Sequence, residues 1–208
     1  MSFEPNQLLN LSIDWNTKGI PYKAEEHPHG SRNHGYSPLK GRLEECTRIP
    51  EAQDEPSIVA ALQRLNAWPT AFFTSGCETC YNARDGQARP IGYVEFSFNS
   101  IEKAKSVTSY FELYCGLYEK MRADRYENTV GFLWNLSPTR FDDHGERGYS
   151  AAVFLQSFGY MPTSIALGDW HRSLEYLVAY LCAWPDPGPP YFYAPVNSGD
   201  AREITQGT

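Results

Sequence analysis

The densest set of chemically capable side chains runs Arg140-Phe141-Asp142-Asp143-His144-Gly145-Glu146-Arg147. Adjacent carboxylates beside an imidazole can hold a divalent cation that activates water, so one expectation is a metal-assisted hydrolase built on Asp142 to Glu146. The same groups can form an acidic face for the Arg and Lys of a protein partner. The flanking arginines allow a third outcome, internal ion pairs on a solvated loop. Phosphodiester cleavage also wants a lysine beside the carboxylates, and the nearest are distant in sequence. A second acidic stretch holds Glu44, Glu45, Glu51, Asp54 and Glu55 against only Arg48. Tyr36, Phe141 and Tyr149 lie near these stretches, and aromatics beside charge are typical of interface hot spots. The expected partner-binding residues are therefore Phe141, Asp142, Asp143, His144, Glu146 and Tyr149, with Glu44, Glu45 and Glu51. No residue is assigned a catalytic or metal-binding role, and no cofactor is expected.

Cys77-Glu78-Thr79-Cys80 has zinc-finger spacing, but a structural zinc site needs four ligands. His27, His29 and His34 are the other candidates, about fifty residues upstream and separated by Pro and Gly. A redox dithiol wants a helix N-terminus after a strand. Thr70 to Thr74 supplies a strand, stopped by Ser75-Gly76, but no helical pattern follows. Ordinary loop cysteines are the simpler reading. Cys115 and Cys182 fall on apolar helix faces and are expected in the core. There is no Gly-rich phosphate loop, Gly-x-Ser-x-Gly elbow or His-Glu-x-x-His helix.

With 208 residues, 41% hydrophobic and 14% aromatic, the chain suits one domain with a substantial core. Its formal charge of −7 and the scatter of its Lys and Arg argue against nucleic acid and anionic lipid as partners. No basic n-region precedes Leu8-Leu9-Asn10-Leu11, and no apolar run approaches the ~20 residues that span a bilayer. Five cysteines, an odd number, suit reduced thiols. The expected compartment is the cytoplasm.

Residues 91 to 136 organise the fold. Ile91 to Phe98 reads as a strand, and Thr129 to Leu136 as another. Between them Ile101, Ala104, Val107, Phe111, Tyr114, Leu117, Tyr118 and Met121 recur at helical spacing. Asn99 and Glu102 suggest a capping box, and Gly116 a close-packing position. A right-handed crossover and a parallel pair are expected. Gln7 to Trp15 alternates as a first strand, and Ser37-Pro38 opens a short helix toward Glu45. Asp54-Glu55-Pro56 starts a firmer helix ending at Trp68-Pro69. Asp85-Gly86 marks a tight turn. Thr139 to Tyr149 is a polar loop, Ala151 to Phe158 a strand, and Gly168-Asp169 opens a last helix ending at Trp184-Pro185. Tyr191 to Tyr193 adds an edge strand. The expectation is a single α+β domain over residues 1 to 208, with a mixed sheet packed by two or three helices. The longest helix covers about residues 100 to 121, and the ends, about 1 to 6 and 197 to 208, are frayed.

Acidity, aromatic richness and the absence of catalytic motifs make the chain resemble the small bacterial immunity proteins encoded beside secreted or polymorphic toxins. The resemblance is of overall character and gives no residue a role. It implies an acidic inhibitor that occludes the active cleft of a cognate toxin, a nuclease above all, with carboxylates where phosphates would sit.

Overall fold

The computed structural model describes residues 5–26 and 32–194. A helical turn, Pro5–Leu8, leads into β1 (Leu9–Ile13) and β2 (Lys18–Ile20). Two 3-10 segments, Leu43–Arg48 and Pro50–Ala52, precede α1 (Pro56–Asn66). The long hairpin of β3 (Phe72–Arg84) and β4 (Gln87–Phe98) follows, then α2 (Ile101–Lys105) and α3 (Val107–Ala123). A second hairpin, β5 (Val130–Phe141) and β6 (Glu146–Ser157), is followed by α4 (Thr163–Cys182).

The sheet order is β1-β5-β6-β4-β3, with β2 also on β5. Among the described residues only β1 and β2 pair in parallel, both with β5. The expected parallel contact between β4 and β5 is not made, because β6 lies between them, antiparallel to both. The return strand of the β5–β6 hairpin occupies the gap between β4 and β5. The fold is α+β with a mixed sheet, as the alternation of strands and helices predicts.

One face of the sheet carries the main core. Phe72, Val94, Phe96, Phe98, Phe132, Trp134, Val153 and Leu155 are all buried. Helices cover them: the Tyr110 ring lies 5.1 Å from Phe98, Tyr114 lies 6.1 Å from Trp134, and Trp170 donates its indole N–H to Leu155 O. Intervening positions point to the other face, and there the residues are more polar: Tyr93, Glu95 and Ser97 on β4, Ser137 and Thr139 on β5, Ser150 on β6. Period-two alternation thus separates an apolar helix-covered face from a face that loops cover only at one end.

Local chemistry explains several departures from expectation. Asn99 does not cap a helix. Its side chain donates to Tyr193 O and accepts from Tyr193 N, clamping the C-terminal segment to the end of β4. The helix after it breaks at Ser106, which has extended backbone angles. Glu55 rather than Asp54 caps α1, accepting from Ser57 N at 3.3 Å. Ser75-Gly76 does not end β3 but forms a bulge within it. Ser37 to Glu45 is mostly loop, with 3-10 structure from Leu43. The polar stretch after Pro138 is largely hairpin, leaving only Asp142 to Gly145 outside the strands. The last helix starts at Thr163, with Gly168 inside it, and Tyr191 makes only an isolated bridge to Ser100.

Candidate functional site

The β5–β6 ladder stays in register up to Phe141 opposite Glu146, so the intervening residues form a tight projecting tip. Asp142–His144 is one 3-10 turn, and Gly145 closes it at φ +65°. That left-handed angle suits Gly, which has no Cβ to clash. Asp142, Asp143 and His144 are exposed. Asp142 has a loose contact with Arg140 at 3.5 Å, and Asp143 has no ion pair among the described residues. Glu146 turns away from them and pairs with Lys105 of α2 at 2.5 Å. The carboxylates therefore diverge, and no group of three or more metal-capable side chains forms among the described residues.

Phe141 is not presented to a partner. It is 1% exposed and packs on the open face against Phe73 and Phe192, with ring centroids 6.1 and 4.4 Å away. The C-terminal segment held by Asn99 completes this second, smaller core. His144 stacks edge-on against Phe192 and Tyr193, and the Tyr193 hydroxyl meets that of Tyr36 at 2.5 Å. Tyr149 is half-buried on the helix side, where its carbonyl accepts from Tyr110 and Ser97. It supports the hairpin and does not face the tip.

The second acidic stretch lies on the 3-10 segments. Glu45 pairs with Arg48 at 2.8 Å, Glu51 accepts from His34 Nδ1 at 2.8 Å, and Glu44 has no ion pair among the described residues. Lys40 anchors the start of this loop, donating to the carbonyls of Ala67, Thr70 and Phe72. The loop and β3 enclose a cavity of about 570 Å³, lined by Tyr22, His34, Glu51, Ser75, Gly76 and Tyr93 among others.

The two acidic stretches, about ninety residues apart, converge on one end of the molecule. Burial, then the neighbouring Tyr193, then the charge of Asp143 push the Tyr36 phenol up. Burial, then the charges of Glu95 and Glu51 push up Tyr22, whose ring lies 6.1 Å from that of Tyr36. Tyr22, Tyr36 and Tyr193 thus bridge the hairpin tip and the 3-10 loop.

Sequence reasoning missed the floor between them. Glu95, 7% exposed, accepts from Lys18 Nζ at 3.1 Å and from Ser150 Oγ at 2.7 Å. The signal was present in β4, where Tyr93, Glu95 and Ser97 share the face opposite the phenylalanines. The loop tyrosines carry no such periodicity.

The cysteines do not form a site. Cys77 and Cys80 stand three residues apart on one strand, so their side chains leave opposite faces. Cys77 is buried, its thiol pushed up to about 12 by burial first and then by Glu51, while Cys80 is exposed. His27 and His29 lie outside the described residues. Cys115 is exposed and Cys182 half-exposed, which corrects the expectation that both sit in the core. No helix among the described residues is long and apolar enough to cross a membrane. In comparisons with known proteins, the chain matches no family model, no curated protein and no solved structure.

Proposed function

We propose that the protein is an acidic inhibitor of another protein, an immunity protein of a bacterial toxin system acting in the cytoplasm, and that it binds through the end bearing the two acidic stretches. One observation carries this reading: a carboxylate from each acidic stretch acts on the same pair of tyrosines, Asp143, without an ion pair among the described residues, on Tyr36 and Glu51 on Tyr22. Carboxylates around partly buried aromatics suit a basic partner surface. The charges steer encounter, and the tyrosines supply apolar area with little side-chain entropy to lose. A nuclease fits, because its cleft is basic wherever it holds phosphates. The metal-assisted hydrolase reading has no such support, since Glu146 is engaged by Lys105 and His144 by aromatic rings.

The test is co-expression with the polypeptide encoded beside this one. Growth rescue and a one-to-one complex are expected. Asp142→Lys with Asp143→Lys should weaken the complex at least tenfold in calorimetry, with the thermal midpoint unchanged. A neighbour that is neither toxic nor bound would reject the reading, as would undiminished affinity of the double variant.

A further inference from the structure

The edge of the sheet at β3 is unlike the edge at the opposite end. There the outer strands β1 and β2 are short, five and three residues. β3 runs for thirteen residues, and its distal part, Glu78 to Arg84, is exposed except for half-buried Thr79. That part contains no Pro, no Lys and no bulge, devices that keep edge strands from pairing. The bulge in β3 lies earlier, between Thr74 and Gly76. Tyr81, in the middle of the exposed part, is 58% exposed.

The geometry of the hairpin fixes which backbone groups face outward. Asp85-Gly86 is a two-residue turn between Arg84 and Gln87. That flanking pair exchanges ladder bonds, and bonded pairs recur at every second residue. Asn82, Cys80 and Glu78 therefore bond to β4, while the N–H and C=O of Thr79, Tyr81 and Ala83 point away from it. Pro90 agrees with this phase, since it stands opposite Tyr81 and has no N–H to give. Among the described residues no hydrogen bond reaches these outward groups.

We infer that β3 pairs with β3 of a second copy of this chain, antiparallel about Tyr81, so that two sheets join across a two-fold axis. Thr79 then meets Ala83 of the second copy, and Tyr81 meets its own equivalent, at bonded pairs, so every outward group gains a partner. The charges select this register. Glu78 falls opposite Arg84 of the second copy on the same face, and symmetry repeats the pair at the other end. These are non-bonded pairs, where opposite side chains stand closest. Neither Glu78 nor Arg84 has an ion pair among the described residues. The Arg84 guanidinium lies over the Tyr160 ring at 4.0 Å, which steadies it and leaves its N–H edge for a carboxylate. Pairing about Thr79 or Ala83 would put Glu78 opposite no cation. So short a ladder makes a small interface, and the dimer is weak and concentration-dependent. The inference does not rest on the inhibitor reading.

Sedimentation velocity of the full chain, over about a hundredfold range of concentration up to roughly 1 mM, should show monomer passing into dimer. Glu78→Arg and Arg84→Glu should each weaken association about tenfold, because like charges then face each other. The double variant should recover wild-type affinity to within about threefold. Tyr81→Pro removes only an outward N–H, so it should abolish the dimer while circular dichroism and the thermal midpoint stay near wild type. A chain that stays monomeric throughout would overturn the inference. So would a dimer indifferent to Tyr81→Pro, or a double reversal no better than the single ones. Amides of Thr79, Tyr81 and Ala83 protected from exchange only in complex with the co-expressed neighbour would overturn the second copy as occupant and give the edge to a strand of that neighbour.

Discussion

Replacing Lys40 by Met should change the pH dependence of stability more than stability at neutral pH. Lys40 is 4% exposed, and its ammonium donates to Ala67 O, Thr70 O, Thr70 Oγ1 and Phe72 O. Burial, partly opposed by Asp186, lowers its pKa from the ordinary 10.5 to about 8. That drop corresponds to about 3 kcal/mol of penalty for keeping the charge at neutral pH. Against this stands the partner the carbonyls lose. Ala67 O also accepts from Thr70 N, and Phe72 O from Thr70 Oγ1 at 3.4 Å, so Thr70 O depends most on Lys40. One orphaned acceptor costs roughly 1–3 kcal/mol, so Lys40→Met should be nearly neutral at pH 7. Between pH 8 and 10.5 the unfolded lysine binds more protons than the native one, and wild-type stability therefore gains with rising pH. Buried thiols work the other way above pH 9, with Cys46 pushed up to about 11 and Cys77 to about 12, chiefly by burial. These groups are common to both proteins and cancel in the difference. Urea denaturation followed by tryptophan fluorescence should find the variant about 2–3 kcal/mol less stable than wild type at pH 10. A difference that stays constant from pH 7 to pH 10 would refute the argument.

Other expectations are briefer. Gly116→Val should cost about 2–3 kcal/mol, because its Cβ would meet the Tyr180 hydroxyl, which already donates to Leu113 O; thermal denaturation checks this. Asn99→Ala should cost about 1–2 kcal/mol and speed hydrogen exchange at Phe192 and Tyr193, since both side-chain bonds to the Tyr193 backbone are lost. Exchange accelerated equally throughout the chain would contradict a local clamp.

What was legible in the chain was whatever followed a single period. Ile91 to Phe98 and the helical run from Val107 to Met121 announce themselves by periods of two and of 3.6, although the buried side of the helix is Tyr110, Leu113, Leu117 and Met121, with the expected Phe111, Tyr114 and Tyr118 only half-buried. Asp85-Gly86 was legible because the turn needs positive φ at both positions, observed at 48° and 75°. Features that depend on partners distant in sequence were not legible. Asn99 reads locally as a cap, but its acceptor and donor belong to Tyr193. Ser75-Gly76 reads as a stop, yet pairing with β4 carries the strand through as a bulge. Topology misled for the same reason: a strand, a helix and a strand imply adjacency only until another strand claims the gap. Of the candidate site, Asp142 and Asp143 are exposed as acidic loop residues should be. Phe141 was misplaced because alternation along a strand whose end was drawn too early cannot say which face its last residue takes.

The paired ladder beneath the acidic tip also bears on kinetics. Twelve consecutive register pairs run from Val130 opposite Ser157 to Phe141 opposite Glu146, so the carboxylates of Asp142 and Asp143 ride on a braced support. A ligand-binding segment that is already ordered gives up little conformational freedom on contact. Association at this end should therefore be limited by diffusion and charge rather than by folding of the loop. Added salt would then slow arrival much more than it hastens departure.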